Sequence, residues 1–210
     1  MGNKKKETLI QFNRENIITA ARKLFEEKGI ASTMVDDIAK EADYSKSTLY
    51  VYFKSKEDIL NTILYEQMVM LKDILAECIS NFADFESCYV SICQELVKFQ
   101  EKYPVYYEEM LGNIKITLEE SEEKNIYYDL YVVGEMINDI VETLLQKGID
   151  SGYIRTDLEI IPTVFYLWSG ISETIRFADR KQEYLKLRLN MKKSDYMEYG
   201  FKLLLKSITR

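Results

Sequence analysis

Three consecutive residues, Lys46, Ser47 and Thr48, carry the most specific chemistry in this chain. A lysine ammonium can donate to guanine O6 and N7 or to a phosphate oxygen, and small hydroxyls serve either base type or a phosphate. All three fall in one turn of a short predicted helix, so they emerge together from its N-terminal end. Their small hydroxyls let the helix backbone approach a partner closely. Tyr52 extends the same face as a further hydrogen-bonding group. Its alternative place is beside the first helix of the chain, and spacing alone leaves both open.

The frame that must hold these groups is written around them. Ser45 is a good N-cap for a helix over Lys46–Phe53, and Leu49 and Phe53, four residues apart, anchor it inward. A second short helix is expected over Val35–Ala42, with Ser32 or Thr33 as its cap and with Asp36 and Asp37 in its first turn, where the helix dipole favours them. Asp43-Tyr44 makes the turn between the two. A first helix runs from about Leu9 or Asn13 to Lys28, with Ile17, Ala21, Leu24 and Phe25 on one stripe and Gly29 as its stop. Residues 1–7 read as a frayed basic tail. Two short helices joined by a tight turn make a helix-turn-helix, whose second helix lies in a DNA major groove with its N-terminal residues toward the base edges.

Beyond residue 55 the periodicity is helical throughout. Ser55 caps a long fourth helix, with Asp58 placed to reach back toward the cap, and this helix runs to about Ser80. Further helices are predicted over residues 83–101, 104–119, 123–148, 157–178 and 193–208. Glu119 to Lys124 is a polar break, Gly148 to Gly152 a loop, and Pro162 implies that the 157–178 helix starts late or bends. Only two prolines and eight glycines punctuate 210 residues. That favours long helices over short strands with tight turns.

Composition removes several classes of function. There is no histidine, which takes away the commonest general base and the commonest transition-metal ligand. No glycine-rich nucleotide loop and no nucleophile-elbow motif occurs. An all-α enzyme would need a carboxylate or cysteine centre, and no cofactor or metal is expected. The three cysteines, Cys78, Cys88 and Cys93, form no CxxC pair, and scattered thiols suit a reducing, cytoplasmic setting. No apolar run is long enough for a membrane span. The net charge is −7, which looks unfavourable for a DNA-binding chain. The acidity is unevenly placed: residues 1–60 hold 11 Lys/Arg and 10 Asp/Glu, and the rest holds 17 against 25. The charge of the whole chain therefore does not describe the face around Lys46.

The run Ala20-Ala21…Leu24-Phe25…Gly29, Ile38-Ala39…Ala42, Ser45-Lys46…Thr48-Leu49-Tyr50…Phe53…Ser55-Lys56 resembles the N-terminal domain of the TetR/AcrR family of bacterial transcriptional repressors. It covers roughly a quarter of the chain. The resemblance implies an all-α fold: a three-helix helix-turn-helix head (residues 1–55) joined by a long helix to a larger ligand-binding and dimerisation body (56–210). It adds Tyr50 and Lys56 as phosphate contacts, Lys56 from the start of the fourth helix. Two positions depart from the family. Met34 stands where the family often has Thr, leaving Thr33 beside it as the donor, and Asp36 stands where a basic residue is common. An acid there would repel DNA.

By the same resemblance the body encloses a ligand among its helices. Tyr106, Met110, Tyr127, Tyr131, Phe165 and Trp168 are the candidate lining. Aromatic and methionine side chains suit a small apolar or aromatic ligand, although core packing or an interface accounts for any one of them as well. The stretches 158–178 and 195–208 are the expected homodimer helices, with Gly170 permitting close approach. The reading is a ligand-responsive repressor bound as a homodimer to a pseudo-palindromic operator on double-stranded DNA. The alternative is a helical ligand- or partner-binding module whose degenerate head acts through protein contacts.

Overall fold

The structure, a computed structural model, describes residues 2–81, 84–112 and 125–210. Ten helices are described: α1 (Gly2–Lys28), α2 (Val35–Glu41), α3 (Lys46–Tyr52), α4 (Lys56–Asn81), α5 (Phe85–Lys102), α6 (Pro104–Met110), α7 (Ile126–Asp150), α8 (Ile160–Arg180), α9 (Gln182–Leu189) and α10 (Lys193–Ile208). The only β pairing among the described residues is one bridge between Ile154 and Thr209. The fold is all-α, as the sequence predicts. The polar break at 119–124 and the far end of the helix expected over 104–119 lie outside the described residues.

The helices form two compact units. One holds residues 1–69 and 105–132, the other 70–104 and 133–210.

In the first unit, α1, α2, α3 and the start of α4 close over one apolar centre. Ile17, Ala21, Phe25, Ile38, Leu49, Phe53, Ile59 and Ile63 are all buried there. Gly29 ends α1 at φ +81°, and its N–H donates to the Phe25 carbonyl. α2 ends on Asp43, which takes the left-handed conformation at φ +58°. The Tyr44 N–H then reaches back to the Ala39 carbonyl and the Asp43 N–H to that of Lys40. This is a Schellman closure, and Asp tolerates the conformation better than most residues with a Cβ. α1 begins earlier than expected, because the basic tail from Gly2 continues the helix instead of fraying.

The second unit differs from expectation in two places. Gly148 is not in a loop: α7 continues through Asp150. A Cβ at Gly148 would lie 2.5 Å from Ile154 Cγ1 and 2.7 Å from Phe85 Cδ2. The glycine is there for close packing, and the turn belongs to Gly152, at φ +77°. The second difference is α9, a helix that its sequence pattern does not announce, since apolar and basic residues are spread around it without a clean stripe. α8 starts at Ile160, later than residue 157. Pro162 thus falls in its first turn, where a missing N–H costs nothing.

Candidate nucleic-acid interface

α3 is held from both sides. The Ser45 hydroxyl accepts from the Thr48 N–H at 3.1 Å, which is the predicted cap. Leu49 is fully buried and Phe53 nearly so, while the Arg14 guanidinium lies 4.1 Å over the Phe53 ring. α4 is capped next to it: Asp58 N–H donates to Ser55 Oγ at 3.1 Å, and the Asp58 carboxylate accepts from Lys54 N–H at 2.8 Å. The two caps fix the axis of α3, and its N-terminal end faces solvent. Lys46 and Ser47 are exposed, Thr48 is half-buried, and Tyr50 is 47% exposed with its ring outward.

The remaining predicted contacts are placed differently. Thr33 does not face solvent. Its side chain is buried, and its hydroxyl donates to the Gly29 carbonyl at 2.8 Å. Its N–H also closes onto the Ile30 carbonyl. The expectation that Thr33 donates to phosphate is therefore corrected: the residue ties the α1–α2 loop together. It is not the cap of α2 either. That position is Met34, whose N–H is satisfied by the Asp37 carboxylate at 3.0 Å.

The Lys56 ammonium donates to the Ile30 and Thr33 carbonyls, each at 2.8 Å. Two of its three N–H groups are so used, leaving one for a phosphate. Tyr52 takes the alternative the sequence left open. Its hydroxyl accepts from Asn13 Nδ2 at 2.7 Å, and its carbonyl accepts from Arg14 at 2.6 Å. Asn13 in turn accepts from the Tyr44 hydroxyl at 2.8 Å. This network joins α1 to the helix-turn-helix. Sequence reasoning missed it because neither Asn13 nor Tyr44 carries a periodic signal.

The charges on this face are largely paired. Lys46 Nζ lies 2.7 Å from Asp36 Oδ1, and Lys28 Nζ lies 2.6 Å from Asp37 Oδ2. The hydrogen bond from Lys28, with that from the Met34 N–H, holds the Asp37 carboxyl below its ordinary range. The hydrogen bond to Asp36 holds the Lys46 ammonium above its own.

The candidate ligand residues fall in both units. In the first, Tyr106 is fully buried, Met110 and Tyr127 are half-buried, and Tyr131 is exposed. Burial pushes the Tyr106 phenol up to about 12, so it is a neutral hydroxyl at physiological pH. In the second unit Trp168 lines a small apolar cavity of about 20 Å³ together with Phe85, Tyr89, Ile92, Leu144 and Ile171, room for little more than one water molecule. Phe165 points elsewhere. At 57% exposure it joins Ile161, Tyr166, Tyr199 and Leu203 as an exposed apolar residue of α8 and α10. Phe85 and Tyr89 were not anticipated, although the apolar stripe of α5 marks the face they share. The thiols offer no reactive group: all three are buried, and burial raises each of them, Cys93 to about 12. Among the described residues, no cluster of acidic or sulfur ligands could hold a metal, and no helix is long and apolar enough to cross a membrane.

Comparisons with known proteins bear on both units. Residues 17–63 match the bacterial regulatory proteins of the tetR family. The chain is 28% identical over 160 residues to the fatty acid metabolism regulator protein of Bacillus subtilis strain 168, covering 76% of this chain and 79% of that one. It is 29% identical over 161 residues to IcaR of Staphylococcus aureus strain Newman, the negative transcriptional regulator of the biofilm operon icaADBC, covering 68% and 83%. Among solved structures, FadR from Bacillus subtilis in complex with stearoyl-CoA superimposes with a TM-score of 0.70 at 22% identity, over 92% of this chain and 98% of that one. Residues 17–63 are thus a helix-turn-helix head of the tetR type, and the chain as a whole is similar to transcriptional regulators that carry such a head.

Proposed function

We propose that this protein is a cytoplasmic, ligand-responsive repressor that occupies a pseudo-palindromic operator as a homodimer. Residues 1–55 bind DNA, and residues 56–210 bind the ligand and dimerise. The observation that carries this reading is the division of α3, with Leu49 and Phe53 inward and Lys46, Ser47 and Tyr50 outward. A helix with that division is built to enter a major groove. Thr48 is the third residue of the reading edge, and Lys56 keeps one N–H for the backbone. A two-fold dimer presents two such helices, which matches an operator of two half-sites. The exposed stripe of Ile161, Phe165, Tyr166, Tyr199 and Leu203 is the surface for the second copy.

The ligand is small and apolar or aromatic. The likeness to a fatty acid metabolism regulator supports this. Catalysis plays no part. The ligand binds one of two forms of the dimer more tightly, and DNA affinity falls by that differential affinity, reciprocally. A few kcal/mol suffices. α4 contributes residues to both units, and it is the element through which ligand occupancy reaches α3.

The test is a mobility shift with DNA from upstream of the protein's own gene. Wild type should shift it, with an affinity that falls steeply with salt. Lys46→Ala and Tyr50→Phe should each weaken binding by about 5- to 100-fold, the value of one good base or phosphate contact. Sedimentation should show an unchanged dimer. The Asp36–Lys46 pair favours a second reading, in which the head has lost operator affinity and the body acts through protein contacts. Absence of any shift, with the dimer intact, would establish it.

A further inference from the structure

The family resemblance leads one to expect repulsion between Asp36 and DNA, yet the structure shows this carboxylate engaged with the most important cation of the reading edge. Asp36 Oδ1 and Lys46 Nζ are 2.7 Å apart, with the two side chains 65% and 54% exposed. Asp36 stands in the first turn of α2, and Lys46 is the first residue of α3. The adjacent Asp37 is already committed to Lys28 and to the Met34 N–H, and of these two acids it is Asp36 that pairs with Lys46.

An exposed ion pair of this kind is weak and exchangeable, so it does not lock α2 to α3. Its effect falls on whatever approaches Lys46. A phosphate that reaches the ammonium meets the Asp36 carboxylate within a few ångströms, where like charges repel even through water. A base edge is received differently. Guanine O6 and N7 can share the ammonium without bringing a full negative charge, and a cytosine N4 amino group can donate to the carboxylate. The pair therefore penalises contact with the backbone and tolerates or rewards a G·C edge.

We propose that Asp36 is a specificity-determining residue of the DNA-reading face. Its carboxylate repels a phosphate that approaches the Lys46 ammonium, and it suppresses binding to any duplex that offers only its backbone. This rests on the reading that α3 enters the major groove, and it adds that selectivity comes partly from repulsion of wrong DNA.

The experiment uses the full chain and two probes. One is a duplex recovered by the wild-type protein from a randomised pool, and the other is a scrambled duplex of equal length and composition. Dissociation constants are measured across a potassium chloride series for wild type, Asp36→Asn, Lys46→Ala and the double variant. Asp36→Asn is expected to bind the scrambled duplex about tenfold more tightly, since one repulsion is removed per subunit. Its log-log salt slope there should steepen by about 0.9 for each phosphate newly contacted. Affinity for the recovered duplex should rise less or fall, so the ratio of the two narrows. In the Lys46→Ala background the same substitution should leave that ratio unchanged.

The melting temperature should stay close to that of wild type, and Asp36→Ser should reproduce the loss of discrimination. The proposal is overturned if Asp36→Asn tightens both duplexes equally, or if its effect survives unchanged without Lys46. Should the wild-type protein recover no duplex from the pool, the DNA-reading function itself fails, and this inference with it.

Discussion

The N-terminal edge of α3 and the outer faces of α8 and α10 are both exposed, but they are built from opposite materials. The first shows Lys46, Ser47 and Tyr50, the second Ile161, Phe165, Tyr199 and Leu203. Polar donors on a short, doubly capped helix suit a hydrated partner rich in acceptors. An apolar stripe on long helices is costly to leave in water at about 25 cal/mol per Å² and suits another protein surface. The two faces also differ in how they are held. α3 is a seven-residue rod that depends on two buried side chains and a serine cap. α8 and α10 lie against each other closely enough that a Cβ on Gly170 would sit 2.5 Å from Leu204 Cδ2. A short element carrying a recognition face is thus the more vulnerable of the two, and a long packed pair is the more tolerant.

That contrast can be broken most sharply at Leu49. Leu49→Ala removes a fully buried side chain from a helix with few others, and should cost about 2–5 kcal/mol of stability. Urea unfolding would measure the loss, and duplex binding should fail while sedimentation still reports a dimer. A dimer lost together with DNA binding would show that the two faces do not depend on separate supports. A smaller effect is expected at Gly148, in the second unit. Gly148→Ala places a Cβ against Phe85 and Ile154, an overpacking worth about 1–3 kcal/mol, offset by roughly 0.5–1 kcal/mol of improved helix propensity. The urea midpoint should fall, and binding of duplex at low temperature should not change.

The smallest effect is expected from acid. Asp37 in the first unit is held below its ordinary range by Lys28 and by the Met34 N–H. Asp84 in the second is held low by the Ser87 N–H and hydroxyl. Each therefore contributes stability that is present above the unfolded value of about 3.9 and is lost as pH falls through the lower folded value. Thermal midpoints recorded from pH 5 downward should drop, and Asp84→Asn, which still caps α5, should flatten part of that drop. An unchanged profile would mean that these caps bind the neutral side chain as well as the ion.

Within the head, the short-range signals were legible. The stripe of α1, the Ser45 and Ser55 caps, the Gly29 stop and the inward pair Leu49 and Phe53 all stand where periodicity and capping rules put them, because each depends on residues within a turn or two. The candidate site was legible in part. Lys46, Ser47 and Tyr50 are outward, but of two further donors that look alike in sequence Thr33 is wholly engaged and Lys56 mostly so. Folding brings the distant Ile30 and Thr33 carbonyls against Lys56, while the Thr33 hydroxyl turns back to the Gly29 carbonyl four residues away. Tyr52 illustrates the same limit, since its partner Asn13 lies 39 residues away. Gly148 misled for a related reason: a glycine near a helix end signals a stop, unless the space for a Cβ is already filled from afar.

What the residues alone determined is the helical class, the order of the elements and the polar edge of α3, since helix periodicity, caps and turn chemistry act over a few neighbours. What only the tertiary structure decided is which donors remain available on that edge, where Phe165 and Trp168 face, and that Asp36 holds Lys46. Those outcomes depend on groups far apart in the chain meeting at hydrogen-bonding distance, and no local pattern encodes such a meeting.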